Sequence, residues 1–360
     1  MVIGVPKEIK KLEFRVAMTA EGVREAITAG HNVLVEAGAG VGSGISDADY
    51  AAAGAGLMSR DEVFSGAEMI VKVKEPLAAE YGLFKPGQML FTYLHLAPDR
   101  AQTEALLRAR VTAFAYETLE VNGELPLLTP MSEVAGRMAP LMGSFFLQKR
   151  FSGTGVLPAG ATGTESARCV ILGAGVVGAS AARVAHGIGM RTIVLNRGAA
   201  RLKQIDELYR GEVQTLSLTA GNIDHEIRTA DMIIGALLVP GGRTPVMITR
   251  PMLQLMKPGA VIVDVSVDQG GCAETTVPRT HDDPVYTVDG VQHYTVANMP
   301  GAYPRTSTYA LTNATLPWIL QLANLGPDRA VAESEPLRKS LNLRNGGIMN
   351  EAVAAAMGSS

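Results

Sequence analysis

Val170-Ile171-Leu172-Gly173-Ala174-Gly175-Val176-Val177-Gly178 is an apolar run that breaks into G-x-G-x-x-G and continues as an alanine-rich segment. The reading is strand, tight turn, helix. Gly173 permits the turn, Gly175 lets backbone approach a pyrophosphate, and Gly178 lets the helix pack close to the sheet. An anion would sit at the helix N-terminus, on unpaired N–H groups and the positive end of the dipole. A second strand over 191–196 follows, as a βαβ unit requires. Working outward, 169–172, 191–196, 213–218, 232–238 and 260–267 read as strands, 176–188, 200–209 and 249–256 as helices, and 285–288 and 294–297 as weaker strands. Upstream, 2–5, 32–36, 69–74, 89–95 and 112–120 are strand candidates. Helices are expected over 21–29 and 99–108, and a long one over 131–149 with Pro140 inside. The Gly/Ser/Thr-rich stretch 152–166 reads as a loop, and 306–325 as a helix interrupted by Pro317.

This alternation gives an α/β fold: two Rossmann-like domains with mostly parallel sheets, a cleft between them, linked by long helices. A chain of 360 residues exceeds the roughly 250–300 at which a single core stops growing. The composition, 47% apolar and 19% charged, is that of a globular protein. A net charge of −3 without a Lys/Arg-rich run leaves no footprint for nucleic acid. No apolar stretch reaches the roughly 18 residues of a membrane span, and Lys7-Glu8 interrupt any signal-peptide core. Two cysteines, Cys169 and Cys272, form neither a disulfide framework nor a zinc site, which points to a reducing, cytoplasmic setting, and no ligand cluster suggests a metal.

Residues i and i+2 of a strand share a face. Lys72 and Lys74 would therefore share one, as would Phe91, Tyr93 and His95, and Ile262, Asp264, Ser266 and Asp268. Asp268, followed by Gln269-Gly270-Gly271, ends its strand on the side where open α/β sheets bind ligands. Spacing alone leaves plainer readings open: solvated lysines at 72 and 74, a structural histidine at 95, a capping Asp264. The end of the strand 191–196, about 20 residues past the first glycine, usually carries an acid that binds the adenosine ribose. Here it is Asn196, followed by Arg197 and, one turn on, Arg201. NAD is the default cofactor, and NADP is open because Asn is neutral and arginine offers a fork for a phosphate.

Several segments carry a resemblance: 3–10 (IGVPKEIK) with 13–17 (EFRVA), 71–76 (VKVKEP), 90–96 (LFTYLHL), 130–137 (PMSEVAGR), 260–265 (AVIVDV), 267–272 (VDQGGC) and 296–302 (VANMPGA). On these the chain resembles the L-alanine dehydrogenase family, which also includes the nucleotide-binding subunit of proton-translocating transhydrogenase. The resemblance implies reversible oxidative deamination of L-alanine to pyruvate and ammonia. Alternatives are another small 2-amino or 2-oxo acid, or a non-catalytic transhydrogenase-type subunit. It implies that Arg15 and Lys74 hold the substrate, with Tyr93 and Asn298 beside it, that His95 binds the carbonyl oxygen and that Asp268 moves protons. Cofactor contacts would come from Ser132, Gly173, Gly175, Val176, Val177, Gly178, Asn196, Arg197, Arg201, Leu238, Val239, Asp268 and Met299. Ser132 could equally be a helix N-cap after Pro130. The resemblance further implies a substrate domain of 1–128 with 307–360, a dinucleotide domain of 129–306, and a homohexamer. Three departures stand out: Asn196 in place of the family's usual aspartate, the linker 155–163, and Met349-Asn350-Glu351 where a His-Pro is usual.

Overall fold

A computed structural model describes residues 1–238 and 243–358. The chain divides into two compact units, Met1–Met131 with Gly301–Ser360, and Ser132–Pro300. The first begins with β1 (Val2–Val5), β2 (Asn32–Glu36), β3 (Gly56–Met58), β4 (Met69–Val71), β5 (Met89–Thr92) and β6 (Thr112–Ala115). They pair in the order β6-β5-β4-β1-β2-β3, every pair parallel. β4, β5 and β6 are buried throughout, as expected of parallel strands covered on both faces by helices. Each fully buried Ile, Leu or Phe here is worth about 1.5–3 kcal/mol. Between β1 and β4 the winding reverses: β2 and β3 build outward on one side, β5 and β6 on the other.

In the second unit β7 (Arg168–Leu172), β8 (Arg191–Asn196), β9 (Gln214–Ser217), β10 (Met232–Gly235), β11 (Val261–Asp264), β12 (Val285–Val288) and β13 (Val291–Tyr294) form one sheet, ordered β12-β13-β11-β10-β7-β8-β9. Among the described residues only β12 with β13 is antiparallel in this sheet. The winding reverses between β7 and β10. A core of Val170, Leu172, Ile193, Leu195, Ile233 and Ile262 lies beneath the sheet. The chain then returns to the first unit, where β14 (Leu341–Arg344) adds antiparallel to β6 and β15 (Gly347–Ile348) adds antiparallel to β14. That return is pinned by Thr308, whose hydroxyl accepts from Val16 N–H (3.1 Å) and bonds Ser43 Oγ (2.8 Å).

Several strands end earlier than their apolar runs. Those expected over 69–74, 89–95, 112–120, 232–238 and 260–267 stop at Val71, Thr92, Ala115, Gly235 and Asp264. Apolar character continues because Val73, Leu94, Leu96 and Ala236 stay buried. Just past β4, β5 and β11 side-chain carboxylates take backbone N–H groups in place of the ladder: Glu8 binds Val73, Glu117 binds Leu94, and Asp264 binds Ser266. The strand expected over 294–297 lies instead at Val291–Tyr294, set by a two-residue hairpin turn at Asp289 and Gly290, both at positive φ. The last long helical run, Pro304–Glu333, takes Pro317 in its interior and breaks at Gly326 (φ 68°, ψ 170°). Helix Thr129–Phe146 begins before Ser132, which is therefore a first-turn residue and not the N-cap.

Candidate active site

Three of the sequence candidates in the first unit stand on loops at the carboxyl ends of β1, β4 and β5, beside the winding reversal where α/β sheets bind ligands. Arg15 follows β1 and is almost wholly buried (2% exposed). Its Nε and Nη2 donate to Glu13 Oε1 (2.7 Å) and Oε2 (2.5 Å), and Nη1 approaches Met131 Sδ at 3.0 Å. Burial works against the guanidinium charge, but the hydrogen bonds and charge of Glu13 outweigh it and raise its pKa. The fork expected to grip a substrate carboxylate is thus already engaged by Glu13.

Lys72 corrects the expectation of a solvated side chain. It is fully buried, and Nζ donates to Glu80 Oε1 (2.8 Å) and Glu8 Oε2 (3.1 Å). An unpaired buried ammonium would lose its proton; burial opposes this one, yet two carboxylates raise its pKa. Glu8 also accepts the N–H groups of Val73 (2.7 Å) and Lys74 (3.3 Å), while Glu80 accepts that of Leu77 (2.9 Å). The buried triad therefore fixes the backbone on which half-buried Lys74 stands. Burial leads in raising the Glu8 pKa, against Lys72 and Val73.

His95 has an exposed ring and sits at φ 47°, a left-handed conformation costing a non-glycine residue about 1–3 kcal/mol. Glu117 holds it there: its carboxylate accepts from His95 N–H (2.7 Å) and Leu94 N–H (3.1 Å), with Oε1 4.0 Å from Nδ1 of the ring. Tyr93 is buried with its ring nearly parallel to that of His95 (centroids 6.0 Å apart), and its hydroxyl donates to Leu127 O at 2.6 Å. Burial, opposed by Arg15, raises its pKa.

The second unit carries the glycine turn at the carboxyl ends of β7 and β10. Gly173 has φ 111°, and a Cβ there would lie 2.5 Å from Ala236 O; one on Gly178 would lie 1.9 Å from Gly173 O. Gly175 caps helix Val176–Gly187 without a side-chain bond, and among the described residues a Cβ on it would meet only Arg201 Nη1, at 3.1 Å. The turn is thus closed toward the protein and presents uncapped N–H groups outward, which fits a dinucleotide pyrophosphate. Val176 is exposed and Val177 half-buried beside it. Gly136 packs helix Thr129–Phe146 onto the same end, since a Cβ there would be 2.3 Å from Val177 O. Ser132, four residues earlier, shares that helix face.

Asp268 is exposed in the short helical turn Val267–Gln269, with Gly270 and Gly271 at positive φ after it. The face predicted for Ile262, Asp264, Ser266 and Asp268 ends with the strand, and buried Asp264 instead braces the turn. Its carboxylate accepts from Ser266 N (3.1 Å), Cys272 N (2.7 Å) and Thr276 Oγ1 (2.5 Å). Ser266 Oγ in turn donates to Leu237 O (2.7 Å), joining this turn to the segment after β10. Leu238 is exposed there, and Val239 lies outside the described residues. Asn298 takes φ 64° and its carbonyl accepts from His281 Nε2 at 3.2 Å; buried Met299 starts the helical turn after it. Asn196 Oδ1 accepts Ala174 N–H (3.1 Å) and its Nδ2 donates to Gly198 O (3.0 Å). Sequence reasoning assigned no role to Glu8, Glu13, Glu117 or Gly136. For Glu117, 22 residues from His95, no spacing rule could have found it.

The reversal of winding in both sheets and the closed glycine turn define a dinucleotide-binding α/β protein of two units. The alanine dehydrogenase/PNT N-terminal domain family matches residues 4–135, and the corresponding C-terminal domain family matches 139–351. The chain belongs to the alanine dehydrogenase/PNT family. It is 51% identical over 360 residues to the alanine dehydrogenase of Methanococcus maripaludis, covering 99% of this chain and 96% of that one. A solved L-alanine dehydrogenase superposes with a TM-score of 0.97 at 46% identity, covering 99% of each chain. A solved transhydrogenase from Sinorhizobium meliloti gives 0.85 at 25% identity over 98% of this chain and all of its own.

Proposed function

We propose that the chain is an L-alanine dehydrogenase: L-alanine, water and an oxidised nicotinamide dinucleotide give pyruvate, ammonium, the reduced coenzyme and a proton, reversibly. One observation carries the reading. Arg15, Lys74 and His95 each follow the carboxyl end of a parallel strand, β1, β4 and β5 in turn, each on backbone held by a carboxylate. The half-identity relatives named alanine dehydrogenase support it over a transhydrogenase subunit, whose solved representative stands at 25%.

When bound, the coenzyme supplies the hydride acceptor or donor. Residues 173–178, with Ser132, Leu238 and Met299, would hold it, and Asn298 would lie toward the substrate. Lys74 brings a point charge to the substrate carboxylate, and buried Arg15, its fork engaged by Glu13, contributes positive charge from behind. His95, aimed by Glu117, donates to the oxygen that becomes the pyruvate carbonyl. Asp268 accepts and returns the protons moved as water adds to the imine and ammonia leaves. Holding the substrate carboxylate fixed converts the reaction to a near-attack arrangement. The reading includes a homohexamer, as the resemblance implies, and a cytoplasmic setting, as the two free cysteines Cys169 and Cys272 imply; light scattering on purified protein checks the assembly. The reaction itself is tested by adding pyruvate and ammonium to protein with each reduced coenzyme and following absorbance at the dihydronicotinamide band. Loss dependent on both substrates is expected; no loss with either coenzyme contradicts the assignment.

A further inference from the structure

Beyond β8 the chain presents positive charge that no carboxylate among the described residues answers. Arg197 and Arg201 are exposed, and among the described residues neither forms an ion pair, whereas Lys203 meets Glu207 and Arg228 meets Asp224 nearby. Helix Ala199–Tyr209 starts without a side-chain cap and has no acid in its first turn. Arg201 Nη1 lies 3.1 Å from where a Gly175 Cβ would be, which sets the guanidinium against the glycine turn. The residue in the position that reads the adenosine ribose, Asn196, has both ends of its carboxamide engaged, by Ala174 N–H and Gly198 O. Its amide oxygen is directed into the turn and not outward. Ser217, in register with Asn196 on edge strand β9, is exposed and adds a hydroxyl.

From this we infer that the carboxyl end of β8 is a phosphomonoester subsite, and that the protein accepts the coenzyme bearing a 2′-phosphate, NADP(H), at least as well as NAD(H). The inference rests on the glycine turn being the dinucleotide site. A 2′-phosphate carries between one and two negative charges at neutral pH. An acid at position 196 would repel it; a neutral amide tied back to the turn does not. Arg197 and Arg201 supply planar donors that suit phosphate oxygens, and the uncapped helix start adds favourable dipole at the same place.

The test is binding without substrates. NADPH and NADH are titrated into wild-type protein at one ionic strength, following dihydronicotinamide fluorescence, with Asn196→Asp and Arg197→Ala in parallel. Wild type is expected to bind NADPH as tightly as NADH or tighter. Asn196→Asp should weaken NADPH relative to NADH by about tenfold or more, and Arg197→Ala should do the same by about tenfold. Arg197 is exposed and unpaired, so its replacement carries the test should Asn196→Asp fail to fold. Free 2′-AMP should displace NADPH from wild type more effectively than 5′-AMP does. NADH binding a hundredfold tighter than NADPH in wild type, or a ratio unmoved in Arg197→Ala, overturns the inference. Because no turnover is needed, this failure is separate from a failure of the reaction: alanine formed with NADH alone would leave the dehydrogenase standing and remove only the phosphate subsite.

Discussion

At the scale of single residues, the candidate chemistry rests on exposed groups held by buried ones. His95 and Asp268 are exposed, while Glu8, Lys72 and Asp264 beneath the loops are not. We expect His95→Ala and Asp268→Asn each to lower kcat for reductive amination of pyruvate by about 10²–10⁴, the range of a general acid or base, with coenzyme titrations still showing binding. Loss of Lys74 should appear mainly in kcat/KM for pyruvate. Glu117→Gln separates support from chemistry. It keeps the shape but weakens charge-assisted bonds to two N–H groups, each worth about 1.5–3 kcal/mol, so kcat should fall while coenzyme affinity holds. Unchanged kcat in Glu117→Gln would mean that His95 needs no such brace.

At the scale of elements, the sequence displayed strands well and their ends poorly. Val2–Val5, Asn32–Glu36, Arg191–Asn196 and Val285–Val288 coincide with apolar or β-branched runs bounded by breakers, so periodicity suffices for them. The ends of β4 and β5 depend on carboxylates that are remote in sequence, Glu8 for Val73 and Glu117 for Leu94, and no local pattern carries that information. The short strand Gly56–Met58 and the hairpin β14–β15 escaped because runs of two to four residues are too brief to show an alternation. The glycine turn was legible because each glycine answers a local steric demand. Strand β13 also carries a titrating element. His293 is fully buried, Nδ1 donating to Val291 O (3.0 Å) and Nε2 accepting from Thr275 Oγ1 (2.8 Å), and burial lowers its pKa. Below the unfolded value of 6.5 the unfolded chain then binds more protons than the native one, so stability falls as pH drops through that value. Denaturant midpoints should decline from pH 7 to pH 5 in wild type and decline less in His293→Asn.

At the scale of the whole molecule, each unit has its own sheet and core, but the first is built from both ends of the chain. Residues 132–300 as an isolated fragment should fold and bind coenzyme, judged by circular dichroism and fluorescence titration. Residues 1–131 alone should not, because β6 loses β14, and Val16 and Ser43 lose Thr308. A folded 1–131 fragment would show that the returning segment is dispensable.

The reaction assignment is tested most directly by product. Pyruvate, [15N]ammonium and reduced coenzyme are mixed with wild type and with Asp268→Asn, and the nitrogen is followed by NMR beside coenzyme absorbance. Wild type should form one L-[15N]alanine per coenzyme oxidised, and the variant should form almost none while still binding coenzyme. Coenzyme oxidised without labelled alanine, or full turnover in the variant, would contradict the assignment.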